Sequence, residues 1–181
     1  RLDYITAIVA MVGVLAFGLL EGLVIAALIG LISLLAGTKS RTTSILGKVP
    51  ETAVYRSVDN YPEAETYQGL LILRFDGTLY FANAHDFQTA VRRAIEAMEP
   101  APRVVLIDGE SINDVDATAV ITLREFQKQL ESEQIELRFA RIKTHVMDIM
   151  ERSGMLQVVP PEHFYPTVQE GVDACLSEMQ V

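Results

Sequence analysis

The sequence predicts an α/β domain, a mixed β-sheet with helices packed on it, preceded by a short transmembrane helical hairpin. Three observations predict it. Residues 4–38 hold one formally charged side chain, Glu21, and are otherwise almost wholly apolar. Charge is segregated from that block: residues 1–41 carry Arg1, Lys39 and Arg41 against Asp3 and Glu21, whereas the remaining 140 residues carry 12 positive and 22 negative charges, a net of −10. From Tyr67 onward, strand-like and helix-like patterns alternate, as they do in a sheet covered by helices. The chain of 181 residues has room for one globular domain of roughly 100–200 residues and little else.

The apolar block is longer than one span requires. About 20 apolar residues cross roughly 30 Å of hydrocarbon, and two short helices fit Leu2–Ala36 better than one long one. The break is expected within Phe17-Gly18-Leu19-Leu20-Glu21-Gly22, where two glycines bracket the acid. Each half is short for a full span but suits a bundle, in which short and broken helices are tolerated. Cationic flanks at both ends place both ends on the cytoplasmic side and Glu21 near the outer surface, as a solvated acid in a turn. Gly22, Ala26, Ala27, Gly30 and Ser33 supply small residues that let helices approach closely in lipid. A signal peptide would need an apolar core of only about 7–15 residues. The chain is therefore expected to begin inside a larger membrane protein.

Residues 38–65 read as a linker, polar and basic through Thr38–Ser44 and broken at Pro50, with a short strand over residues 53–58. The folded domain is expected over residues 66–181. Leu70–Phe75 reads as a strand, Asp76-Gly77 as a hairpin turn and Thr78–Ala82 as its partner strand. Asn83 is placed to cap a helix carrying Phe87, Val91, Ala94, Ile95 and Met98 at helical spacing, which Pro100 and Pro102 end. Arg103–Asp108 is a continuous apolar strand of the kind buried on both faces. A helix over residues 118–131 presents Val120, Leu123, Phe126, Gln127 and Leu130. Ile135–Ala140 alternates as a strand, and a helix over 143–153 closes at Gly154. A short strand or turn at Phe164 precedes a last helix over 167–178.

Composition excludes several functions. An acidic domain does not bind nucleic acid by neutralising phosphates. A lone Cys175 gives no intrachain disulfide, and with three scattered histidines it makes no zinc site. Asp108, Glu110, Asp114 and Asp116 crowd one loop, but at irregular spacing and without a calcium-loop pattern. Ser111, Ser153, His85, His145 and His163 form no nucleophile motif, and there is no phosphate loop or dinucleotide fingerprint. Cys175, Met147 and Met150 read as packing. No enzyme activity, cofactor or metal is expected.

The segment Leu73-Arg74-Phe75-Asp76-Gly77-Thr78-Leu79-Tyr80-Phe81-Ala82-Asn83-Ala84 resembles the opening of the cytoplasmic STAS domain of SulP-family anion transporters. Leu46–Pro50 and Val54–Arg56 are similar to that family's linker. Val105–Asp108 and Val115–Ala119 resemble its central strand and following loop, and Arg152-Ser153-Gly154 the end of its third helix. Residues 1–36 resemble the last two membrane helices of the same transporters. The resemblance covers the whole chain in colinear order.

That resemblance implies the C-terminal part of a secondary carrier for sulfate, bicarbonate or a related anion. The expected location is the plasma or inner membrane, with the STAS domain cytoplasmic. It implies partners: the remaining transmembrane domain, lipid, a second copy in a homodimer, and a cytoplasmic protein bound by the STAS domain. No substrate-binding residue falls in this segment. In the related bacterial anti-sigma-factor antagonists, a Ser or Thr in the loop is phosphorylated by a partner kinase. Here Thr118 takes that position and Asp116 the preceding acid. Capping of the helix by Asp116 or Thr118 explains the same residues without a kinase. The alternative function is a membrane-tethered signalling module switched at Thr118.

Overall fold

The computed structural model describes Ile8, Met11, residues 18–37 and residues 43–179. The chain divides into two compact units, Arg1–Ser40 and Arg41–Val181.

In the first unit, Gly18 sits at φ +104°, a conformation open to glycine. Helix α1, Leu19–Gly37, starts immediately after it. The described helix therefore starts within the segment where a break is expected. Glu21, expected in a turn, lies instead inside the first turn of α1, where a carboxylate complements the positive end of the helix dipole. At 1.5 Å per residue α1 measures about 28 Å. Among the described residues no helix is long and apolar enough to cross a membrane. The first half of the expected hairpin lies outside the described residues, apart from Ile8 and Met11.

The second unit is built on a six-stranded sheet of order β2-β1-β3-β4-β5-β6. Its strands are β1 Thr43–Lys48, β2 Tyr55–Ser57, β3 Leu70–Phe75, β4 Val104–Asp108, β5 Glu136–Ala140 and β6 Phe164–Tyr165. β1 pairs antiparallel with β2 and β3, and β3 through β6 run parallel. Parallel neighbours need crossovers. These are supplied by α2 Ala84–Glu96, α3 Ala117–Ser132 and α4 Thr144–Arg152, while α5 Val168–Met179 closes the chain.

Alternation along the strands sorts side chains onto two faces. Leu71, Leu73, Phe75, Val105, Ile107, Leu137 and Phe139 join Phe87, Val91 and Ile95 of α2, Val120, Leu123 and Phe126 of α3, and Val146 and Met150 of α4. The opposite face, with Leu70, Ile72, Val104, Leu106 and Ala140, packs on Val168, Val172 and Cys175 of α5. Each fully buried Leu, Ile, Val or Phe contributes about 1.5–3 kcal/mol. Helix α5 comes so close that a Cβ on Gly171 would lie 2.9 Å from Leu106 and 3.0 Å from Tyr165. β4 is buried at every position, as its unbroken apolar run requires.

Two expectations are corrected. Residues 43–57, read mostly as linker, supply β1 and β2, so the sheet begins well before Tyr67. The Asp76-Gly77 hairpin does not form. β3 already has β1 on one side and β4 on the other, which leaves no edge for Thr78–Ala82 to fold back on. That segment runs forward instead: Leu79, fully buried, bridges in parallel to Val115.

Candidate functional site

The loop between β4 and α3 is the point where the chain gathers exposed polar groups on a rigid frame. Asp116 stands at the N-cap of α3 in extended backbone conformation. Its Oδ1 accepts the Ala119 N–H at 2.6 Å, which satisfies one of the amides left open at a helix start. Its Oδ2 accepts the backbone N–H of Phe81 at 2.9 Å. Around it, Leu79 N–H donates to the Asp114 carbonyl at 3.0 Å and Asp116 N–H to the Leu79 carbonyl at 3.1 Å. The β3–α2 and β4–α3 loops are thus stitched together, with Asp116 holding both.

Thr118 lies in the first turn of α3 and is exposed. Of the two capping candidates, Asp116 is the cap, so the Thr118 side chain is not engaged in that role. Asn83, also expected to cap, makes no cap hydrogen bond. Its Oδ1 accepts from Tyr80 N–H and its Nδ2 donates to the Thr78 carbonyl, both at 2.8 Å, so it shapes the loop before α2. The far side of the site is held by α4: Lys143 donates to the Asn113 side chain, and His145 Nε2 bonds the Asn113 carbonyl at 2.6 Å.

The four loop acids separate into two environments. Asp114 and Asp116 accept backbone amides. Asp108, with no exposed surface, takes Arg141 Nε at 2.9 Å, and Glu110 takes Arg141 Nη1 at 2.7 Å. The hydrogen bond to Asp108 is the main cause that holds the Arg141 guanidinium above its ordinary pKa. The histidines lie on different elements: His85 is beside Gln88 on α2, His145 on α4 and His163 near Arg138.

Sequence reasoning missed two features. Phe81, 67% exposed, and Ile121 present apolar side chains beside the Asp116–Thr118 turn. Their signal was present in the alternating patterns, but a strand reading of Thr78–Ala82 would have put Phe81 in a sheet. The second is Arg138 on β5, whose side chain is only 3% exposed. It bonds Glu136 at 2.6 Å, Tyr165 Oη at 3.0 Å and Glu178 Oε1 at 3.1 Å. Burial works against that charge, but the hydrogen bonds it donates to Glu178 and Glu136 outweigh it and hold Arg138 above its ordinary pKa. Glu136 and Arg138, two apart on a strand, share a face, and that spacing was the available clue.

A mixed sheet with crossover helices on one face, a C-terminal helix on the other and a capped acidic loop before α3 defines a STAS-type α/β domain. Residues 61–171 match the STAS domain family, and the chain belongs to it. Homology extends beyond that domain, over nearly the whole chain, to SulP-type sulfate transporters. Sulfate transporter 1.1 of Arabidopsis thaliana is 28% identical over 187 residues, covering 99% of this chain and 29% of the relative. Murine Slc26a9, an anion transporter in the inward-facing state, shares the fold with a TM-score of 0.81 at 20% identity, over 97% of this chain and 29% of that one. The anti-sigma factor antagonist SpoIIAA in its unphosphorylated form matches with a TM-score of 0.50 at 15% identity, over 62% of this chain and 93% of that one. The chain spans less than a third of the curated sulfate transporters it matches.

Proposed function

We propose that this chain is a segment of a SulP-type secondary anion transporter. Residues 1–37 form its terminal membrane hairpin and residues 66–181 a cytoplasmic STAS domain that regulates transport, dimerises or binds a partner. The observation that carries this reading is the extent of the homology: it covers the apolar segment together with the STAS domain, although the chain spans only 29% of Sulfate transporter 1.1. The anion is sulfate or a related oxyanion, and its site lies in the membrane domain, outside this chain. The domain acts by contact: its loop acids Asp108, Asp114 and Asp116 are engaged by Arg141 and backbone amides. An antibody to residues 66–181 tests the assignment on native membranes. A carbonate-resistant band several times larger than 20.0 kDa is expected, and a band near 20.0 kDa overturns it.

The second reading is a membrane-tethered signalling module switched at Thr118. It is favoured by the exposure of Thr118 on a turn already capped by Asp116. A phosphate there would meet the positive helix end but also the Asp116 carboxylate. Phosphate incorporation lost in Thr118→Ala supports the switch, and labelling that persists in that variant removes it.

A further inference from the structure

The carboxyl ends of the parallel strands open into a second region on the α5 face, which Glu110 of the loop before α3 also lines. Strand register builds it. Arg74, the penultimate residue of β3, pairs with Asp108 at the end of β4, and Asp108 pairs with Ala140 at the end of β5. Because Leu70 and Ile72 face α5, Arg74 two residues further on faces the same way, as does Asp108 after Val104 and Leu106. Arg141 follows Ala140 directly. Arg56 of β2 comes from the other edge. Arg56, Arg74 and Arg141 are among the residues that line one cleft of about 510 Å³.

The cleft holds its cations in place. Asp108, fully buried, grips Arg141 through Nε and Nη2. Asp76 grips Arg74 through Nε at 2.8 Å and Nη2 at 3.1 Å. Arg56 lies over the Tyr61 ring at 5.9 Å. The two carboxylates fix the forks of Arg74 and Arg141, groups that recognise planar or tetrahedral oxygens, while Arg56 is exposed. Thr167, just before α5, and Val168 and Gln169, which begin it, form the opposite wall, where Glu170 shares the helix start. One group competes for the same space. Glu110 lines the cleft and takes Arg141 Nη1 at 2.7 Å, yet its side chain is 60% exposed. An exposed ion pair of this kind has little net worth, so this carboxylate can swing away where Asp108 cannot.

We propose that this cleft binds a tetrahedral oxyanion, sulfate or phosphate, free or carried on a small molecule. The anion takes the edge of Arg141 that Glu110 now holds and reaches Arg56 and Arg74 across the cleft. This goes beyond the transporter reading, because the site belongs to the STAS domain and does not lie on a transport path. Glu110 then acts as an internal competitor that sets the affinity.

The test is equilibrium dialysis of the full chain in detergent against inorganic sulfate, inorganic phosphate and adenosine monophosphate. Saturable binding of at least one is expected at one site. Arg56→Ala and Arg74→Gln should each weaken it about tenfold, the loss of one charge-assisted hydrogen bond. Glu110→Gln should tighten it about threefold or more, because the competitor is removed. Tighter binding of the nucleotide than of phosphate assigns the rest of the cleft to the carrier group, and equal affinities assign the free ion. Absence of saturable binding of all three anions overturns the proposal. So does binding that none of the three substitutions changes, with unaltered circular dichroism showing that they fold. Anion uptake plays no part in this readout, so the site and the transporter assignment can fail separately.

Discussion

One carboxylate, that of Asp116, holds Phe81 and the start of helix α3 at the same time. Its two oxygens accept from Phe81 N–H at 2.9 Å and Ala119 N–H at 2.6 Å. The Phe81 backbone is thereby tied to the turn that leads to Thr118, while its ring stays exposed. Loss of this one side chain frees both the helix start and the loop before α2.

Asp116→Ala should therefore lower stability by about 1–2 kcal/mol, the typical cost of a lost N-cap. Hydrogen exchange should quicken at Phe81 and Ala119 together. Asp116→Asn keeps one acceptor oxygen and should cost less. Faster exchange at Ala119 alone would mean that the bond to Phe81 does not hold the loop.

Gly154 follows α4 at φ +78°, and a Cβ there would lie 3.1 Å from Arg124 Nη1. That same nitrogen donates to the Ser153 carbonyl at 3.1 Å, so the guanidinium cannot retreat without losing a bond. Gly154→Ala should cost about 1–2 kcal/mol from backbone strain alone, measured by urea denaturation. A variant as stable as the parent would show that neither the positive φ nor Arg124 resists a Cβ at this position.

Acid should destabilise the domain in two stages. Burial, and next to it Arg138, hold the His163 imidazole below its ordinary pKa. The hydrogen bond from Arg138 holds Glu178 below its own. Both folded values are depressed, so the unfolded chain binds protons first and stability is lost as pH falls. The first loss begins near pH 6.5 and the second near pH 4.3, the unfolded values. Thermal melts from pH 8 to pH 3 should show a decline from each. His163→Gln should remove the first and leave the second, and an unchanged first decline would contradict the assignment to His163.

Arg138→Gln should abolish the second stage by removing the partner of Glu178. It also leaves Tyr165 Oη without its bond at 3.0 Å. The expected result is a less stable domain at pH 7 that lacks this decline between about pH 4.3 and pH 3. A persistent decline over that interval would place the titrating carboxylate elsewhere.

The elements that the sequence made legible are those whose burial is set by their own pattern. Val104–Asp108 is apolar throughout and is buried throughout. Val120, Leu123, Phe126, Gln127 and Leu130 fall on one face of α3 and are all buried; Gln127 is satisfied there by accepting Leu137 N–H at 3.1 Å. Errors came where a distant segment decides the outcome. Asp76-Gly77 has hairpin chemistry, but Thr43–Lys48 already occupies the edge of β3 that a hairpin would use. Thr43–Lys48 escaped notice because only Ile45 and Leu46 are strongly apolar. At the candidate site, the sequence brought Asp116 and Thr118 forward as alternatives, and backbone geometry chose Asp116 as the cap. The pairing of Asp108 with Arg141 spans 33 residues and follows from strand register, which no local pattern contains.

The proposed role of residues 66–181 in a transporter is open to test by anion uptake. The full-length protein and a form lacking residues 66–181 are expressed in the same cells, and sulfate uptake, surface amount and dimer yield are measured side by side. At least one of the three should change on deletion. Values unchanged in all three, from a protein that still carries sulfate, would contradict the account.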